Sequence, residues 1–157
     1  MTKKDLFLKT VFCCMACDGD IAKEEVDIVR NLSANSHLFD EVDIEKNLKE
    51  WIAEINENGA GFLKKYLDEL SGYELTTDDQ LQIIDLALAT IEADERIEYS
   101  EIKFFKKIRS RLSVSDDEIL SRHPDKEDFL LPDIKASEDL IWSDVKFADI
   151  SIASLKI

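Results

Sequence analysis

Glycine and proline are scarce, with four glycines and two prolines in 157 residues. So few breakers exclude a chain dominated by turns and leave long stretches free to be helical. With an apolar content of 45% they point to a compact helical protein with a real core. Positive charge is scarce too. Twenty Lys and Arg stand against thirty-five Asp and Glu, a formal net charge of −15. DNA, RNA and anionic lipid are bound through Lys and Arg clusters, so they are poor partners for this chain. Cations or a basic protein surface suit it better, and the plainer reading is that the charge serves solubility. No stretch approaches the roughly 20 apolar residues of a membrane span. The apolar run at 11–17 is short, and Cys17-Asp-Gly-Asp20 follows it without a small-residue cleavage pattern. The expectation is a cytoplasmic protein without membrane insertion.

Chemistry-bearing motifs are also missing. No Gly-x-Gly-x-x-Gly, P-loop, His-Glu-x-x-His or Gly-x-Ser-x-Gly pattern is present. His37 and His123 each stand beside a break or a proline, without an obvious nucleophile or carboxylate partner in the sequence, so a hydrolase triad fits poorly. Asp18-Gly-Asp20 looks like the opening of an EF-hand, but the twelfth residue from Asp18 is Val29 where a glutamate is needed. Cys13, Cys14 and Cys17 fall on one expected helix, and an odd cluster is no disulfide framework. Helical spacing puts Cys13 and Cys17 on one face. They read either as small apolar core residues or as a thiolate site for a soft metal. No second cysteine pair or nearby histidine completes a zinc set, and a buried thiol is unreactive.

What is present is a repeat. Asp18-Gly-Asp-Ile21-Ala22-Lys-Glu-Glu25 is echoed by Asp94-Glu-Arg-Ile97-Glu98-Tyr-Ser-Glu101. The shared pattern is Asp-x-x-Ile-x-x-x-Glu. An apolar run precedes each copy, Val11–Cys17 and Leu86–Ile91, and an amphipathic run follows it. Runs apolar on nearly every face mark helices covered on all sides. Each copy therefore reads as helix, short turn, helix. Gly19 suits the first turn; the second has Glu95 there. Ile21 and Ile97 stand where a hydrophobic staple packs back. With Ala22 and Glu98 as N-caps, Glu25 and Glu101 fall at N3, where glutamate helps start a helix. The alternative is that Asp18, Glu25, Asp94 and Glu101 converge as a site for a hard divalent cation such as Ca²⁺.

Ala16-Cys-Asp-Gly-Asp-Ile-Ala-Lys-Glu-Glu25 and Ala93-Asp-Glu-Arg-Ile-Glu-Tyr-Ser-Glu101 resemble the paired acidic turns of TerB-like domains, over roughly residues 3–122. That family includes the tellurite-resistance protein TerB and the N-terminal cytoplasmic domain of the DnaJ-like protein DjlA. Its motif, Ala-Asp-Gly-x-Ile-x-x-x-Glu, occurs twice on an all-helical fold. Cys17 stands where the family has alanine, and Glu95 where it has glycine. The resemblance implies a stress- or oxyanion-resistance role, with acidic surfaces that bind cations or partners. It also gives the cysteine cluster a further reading, tellurite reduction.

The spacing predicts helices over 4–17, 22–36, 40–56, 60–70, 77–93, 100–112 and 115–122. Thr77-Asp-Asp-Gln80 and Ser115-Asp-Asp-Glu118 read as capping boxes, Trp51 as a residue at the margin of its helix, and Asn58-Gly59 and Ser71-Gly72 as stops. The helix at 100–112 carries Lys103, Lys106, Lys107, Arg109 and Arg111, either a solvated face or a strip for acidic groups. From His123 the character changes. Pro124 and Pro132 favour extended backbone, yet Phe129, Trp142, Phe147 and Ile150 recur among acidic residues. Such a tail is expected to pack on the domain or on a second copy.

The expected architecture is all-α: about seven helices on two helix-turn-helix pairs over 1–122, then a C-terminal arm of extended or mixed structure over 123–157. The expected function is non-enzymatic: a stress-linked module that binds a protein partner, with Ca²⁺ or a similar cation at its acidic turns. The alternatives are thiol chemistry at Cys13, Cys14 and Cys17, and an architectural homodimer built through the arm.

Overall fold

Thr2 starts the first helix by a reciprocal cap. Its hydroxyl accepts from the Asp5 backbone N–H at 3.2 Å, and its own N–H donates to Asp5 Oδ2 at 3.1 Å. In the computed structural model, which describes residues 2–17, 27, 29–32, 34, 39, 42–93 and 99–130, this helix is α1, Lys3–Ala16. Every residue from Leu6 to Ala16 is buried, as the apolar run in the sequence requires. Helical residues follow at 27, 29–32 and 34. Next come α2 (Ile44–Glu57), α3 (Gly59–Gly72), α4 (Thr77–Ile91), α5 (Tyr99–Ser110), α6 (Asp116–Arg122) and a 3-10 turn, Glu127–Leu130. The chain is all-α, with no strand among the described residues. No described helix is long and apolar enough to cross a membrane.

α1 is the axis of the bundle: α3, α4 and α5 all pack on it, and α4 most extensively. The core around it joins Phe12, Met15, Leu63, Tyr66, Ile84, Leu88, Phe104 and Phe105. Trp51 is part of this core at 7% exposure and not marginal, because its ring lies 5.7 Å from that of Phe12. α4 is buried along most of its length, although Ala89 is exposed, so its cover is incomplete.

Several boundaries differ from the sequence reading. α2 begins at Ile44 because the Asp43 side chain accepts from Lys46 N–H at 3.1 Å and caps it. α2 and α3 meet at a single shared cap, Asn58, so Gly59 opens a helix as well as following one. Gly72 is the last residue of α3. The box at the start of α4 is Thr76 with Asp79, not Thr77 with Gln80. Gln80 is taken up elsewhere: its Oε1 accepts from the backbone N–H of Ser113 at 2.8 Å and of Val114 at 2.9 Å. This pins the α5–α6 connection to α4. α6 itself starts at the expected Ser115, whose hydroxyl accepts from Glu118 N–H at 3.2 Å.

Candidate cation and interaction site

Asp18, Glu25 and Asp94 lie outside the described residues. Glu101 is described. It stands in the first turn of α5, where a carboxylate favours the helix dipole, and is buried at 4% exposure. It is not left without an interaction. Among the described residues no group of three or more His, Cys, Asp or Glu could hold a metal ion.

The helices that lead into the two acidic turns are both described. Lys3 Nζ lies 2.8 Å from Asp79 Oδ2, so the first turns of α1 and α4 stand side by side. The register that aligns Asp18 with Asp94 also aligns Lys3 with Asp79. Equivalent positions of the two copies are thus in contact. α1 and α4 are also the most extensively packed pair of helices, and each rises roughly 20 Å at 1.5 Å per residue. α1 ends at Ala16, and α4 ends at Ile91. Just beyond Ile91 the Glu92 N–H donates to Leu88 O at 3.0 Å and the Ala93 N–H to Thr90 O at 3.3 Å, which tightens the last turn of α4.

The cysteines sit in α1 and just after it. Cys13, Cys14 and Cys17 are fully buried thiols. Burial pushes the Cys13 thiol far above its usual range; nearby Lys9 opposes that only partly, and Glu69 adds to it. A thiol held neutral in this way is a poor nucleophile and a poor metal ligand. The Cys17 thiol donates to the Cys14 carbonyl at 3.4 Å.

Two constellations were not visible in the sequence. The first surrounds Lys9, a charged residue inside the apolar run. Its ammonium is 2.6 Å from Glu69 Oε1, lies 4.9 Å from the centre of the Phe62 ring and 5.8 Å from that of Trp51, and is 4% exposed. Next to it, the Thr10 hydroxyl donates to Leu6 O at 2.9 Å. That commits its proton, so Tyr66 OH is the donor in their 2.6 Å contact.

The second lies along α4. His123 has a carboxylate partner after all: Nε2 is 2.7 Å from Asp85 Oδ1, while Arg122 reaches Asp85 Oδ2 at 3.3 Å. Lys126 lies 2.6 Å from Glu92 Oε1 and 2.7 Å from Asp125 Oδ2. These partners are 38 residues apart for His123 and Asp85, and no local spacing could have announced them. A cleft of about 330 Å³ lies at the α2–α3 junction, lined by Glu54, Glu57, Asn58, Gly61, Phe62 and Lys65.

Neither a family model, nor a curated protein, nor a solved structure matches the chain.

Proposed function

We propose that this chain is a non-enzymatic interaction module of the TerB-like kind, working in the cytoplasm in a stress- or oxyanion-resistance response. In this reading the two acidic turns recruit a protein partner, and Asp18, Glu25, Asp94 and Glu101 hold a hard divalent cation such as Ca²⁺. The observation that carries it is the Lys3–Asp79 contact between equivalent positions of the repeat. It supports two copies laid side by side, each with its acidic turn after the end of its helix, α1 or α4. Carboxylates brought to one end of an acidic molecule repel one another, and a cation relieves that repulsion.

The buried thiols favour this reading over thiol chemistry. A tellurite or soft-metal site at Cys13, Cys14 and Cys17 would need thiolates open to solvent, and all three are fully buried.

The test is a melting curve with and without Ca²⁺. At about ten times its dissociation constant the ion stabilises the fold by about 1.4 kcal/mol. That raises Tm by about 3–5 °C in a chain of this size. Asp94→Asn should lose the shift. No shift of the parent protein at millimolar Ca²⁺ removes the cation and leaves a cation-independent protein contact. A pull-down whose catch survives charge reversal at both Asp18 and Asp94 would remove the acidic turns as the contact.

A further inference from the structure

The charge cluster along α4 does not belong to the acidic turns, and it has a mechanical consequence. Residues 122–130 cross α4 and α5 as a strap. On one side Arg122, His123 and Lys126 meet Asp85 of α4 and Glu92, the residue that caps its C-terminus. On the other side Phe129 packs on Phe105 of α5, ring centres 5.8 Å apart. Lys126 joins the two sides, with its ammonium 5.7 Å from the centre of the Phe129 ring. The backbone of the strap is a chain of tight turns: Lys126 N–H donates to His123 O at 3.1 Å, and Phe129 N–H donates to Lys126 O at 3.0 Å. Both turns are thus anchored at His123 and Lys126.

We propose that residues 122–130 form a proton-tightened strap, clipped to α4 through His123 on Asp85, which keeps Phe129 seated on α5 and loosens as the histidine loses its charge. Histidine is the side chain that changes charge between about pH 5 and 8. Neutral imidazole with its proton on Nε2 gives Asp85 an ordinary hydrogen bond; imidazolium gives it a charge-assisted one, roughly twice as strong. Other charged groups stand around His123. Asp85 comes from α4 and Glu92 from its C-terminal cap; Arg122, Asp125 and Lys126 come from the strap itself; α5 meets the strap through the apolar Phe105 ring. Arg122 does not make the histidine redundant. It is farther from Asp85, at 3.3 Å against 2.7 Å, and its side chain is 45% exposed against 25%. Loosening lifts Phe129 from Phe105.

Amide hydrogen exchange at Lys126 and Phe129 tests this in the full chain. After correction for intrinsic exchange, protection of both amides should fall about fivefold between about pH 5.5 and about pH 8. Asp85→Asn and His123→Gln should each abolish that fall. His123→Gln keeps a side chain able to hydrogen-bond and decides the matter if Asp85→Asn folds poorly. Flat protection in the parent, or an unchanged fall in His123→Gln, overturns the proposal. Neither result bears on Ca²⁺ binding, which is read by Tm.

Discussion

Lys9 keeps an ammonium at 4% exposure inside the most apolar helix of the chain. Glu69, with 26% of its side chain exposed, is its counter-charge, and the Phe62 and Trp51 rings form the wall around it. The two partners are not equivalent, and their substitution should show it. Glu69→Gln leaves a buried cation with only aromatic faces for compensation. Breaking a fully buried pair this way costs about 3–5 kcal/mol, so the half-open Glu69 should cost about 2–3 kcal/mol. Lys9→Met removes the buried charge, keeps the bulk of the stem and lets Glu69 rehydrate. It should cost about 1 kcal/mol, mostly the lost cation–π contact. Urea titration of both variants checks the order, and Lys9→Met as the more damaging change would contradict this account. Lys9 was illegible in the sequence because a lysine in an apolar run carries no sign of what faces it; Glu69 and Phe62 come from α3. The same holds for His123, whose carboxylate partner lies on α4.

At the scale of elements, the helices themselves were legible, but some of their starts and all of their neighbours were not. Asp43, Thr76 and Ser115 each cap by a side-chain bond to the residue three on, a local rule that sequence carries. Where two caps compete locally, tertiary packing chooses. Thr76 and Thr77 both have a polar residue three positions on, and the loop at Ser113 and Val114 claims Gln80, so Thr76 with Asp79 makes the box. Thr76→Ala should therefore cost about 1 kcal/mol, and Thr77→Ala much less. Asp79 also ties α4 to α1. The hydrogen bond from Lys3 holds its carboxyl below the usual carboxylate value of 3.8; partial burial opposes this and the Thr76 bonds add to it. A depressed acid stabilises the fold above its unfolded value and loses that contribution as pH falls through its folded one. The stability gap between the parent and Asp79→Asn should therefore be full at neutral pH and close as pH falls below 3.8. A gap that stays constant down to acid-induced unfolding would mean that the charge is irrelevant.

For the molecule as a whole, the core holds titratable groups that must stay neutral. Burial raises both the Cys13 thiol and the Tyr66 phenol; Lys9 partly opposes the first, and the Thr10 bond partly opposes the second. The unfolded thiol ionises near its ordinary value of 9.0, while the folded one keeps its proton. Stability is therefore full below that pH and is lost as pH rises towards the folded value. Cys13→Ala should cost about 1 kcal/mol at pH 7.5 by lost packing, yet soften the alkaline decline measured by urea unfolding above pH 9. An unchanged alkaline slope would mean that the thiol is not the cause. The sequence by itself determined the all-α class, the covered first helix, the capped start of α6 and the existence of a repeat. Those follow from composition, periodicity and bonds spanning three or four residues. Only the tertiary structure decided that Lys3 meets Asp79, that Trp51 is core, that Lys9 is caged by α2 and α3, and that His123 clips to α4. Each of these depends on which helix lies beside which, and that is settled by packing whole apolar faces together rather than by any neighbour in the chain.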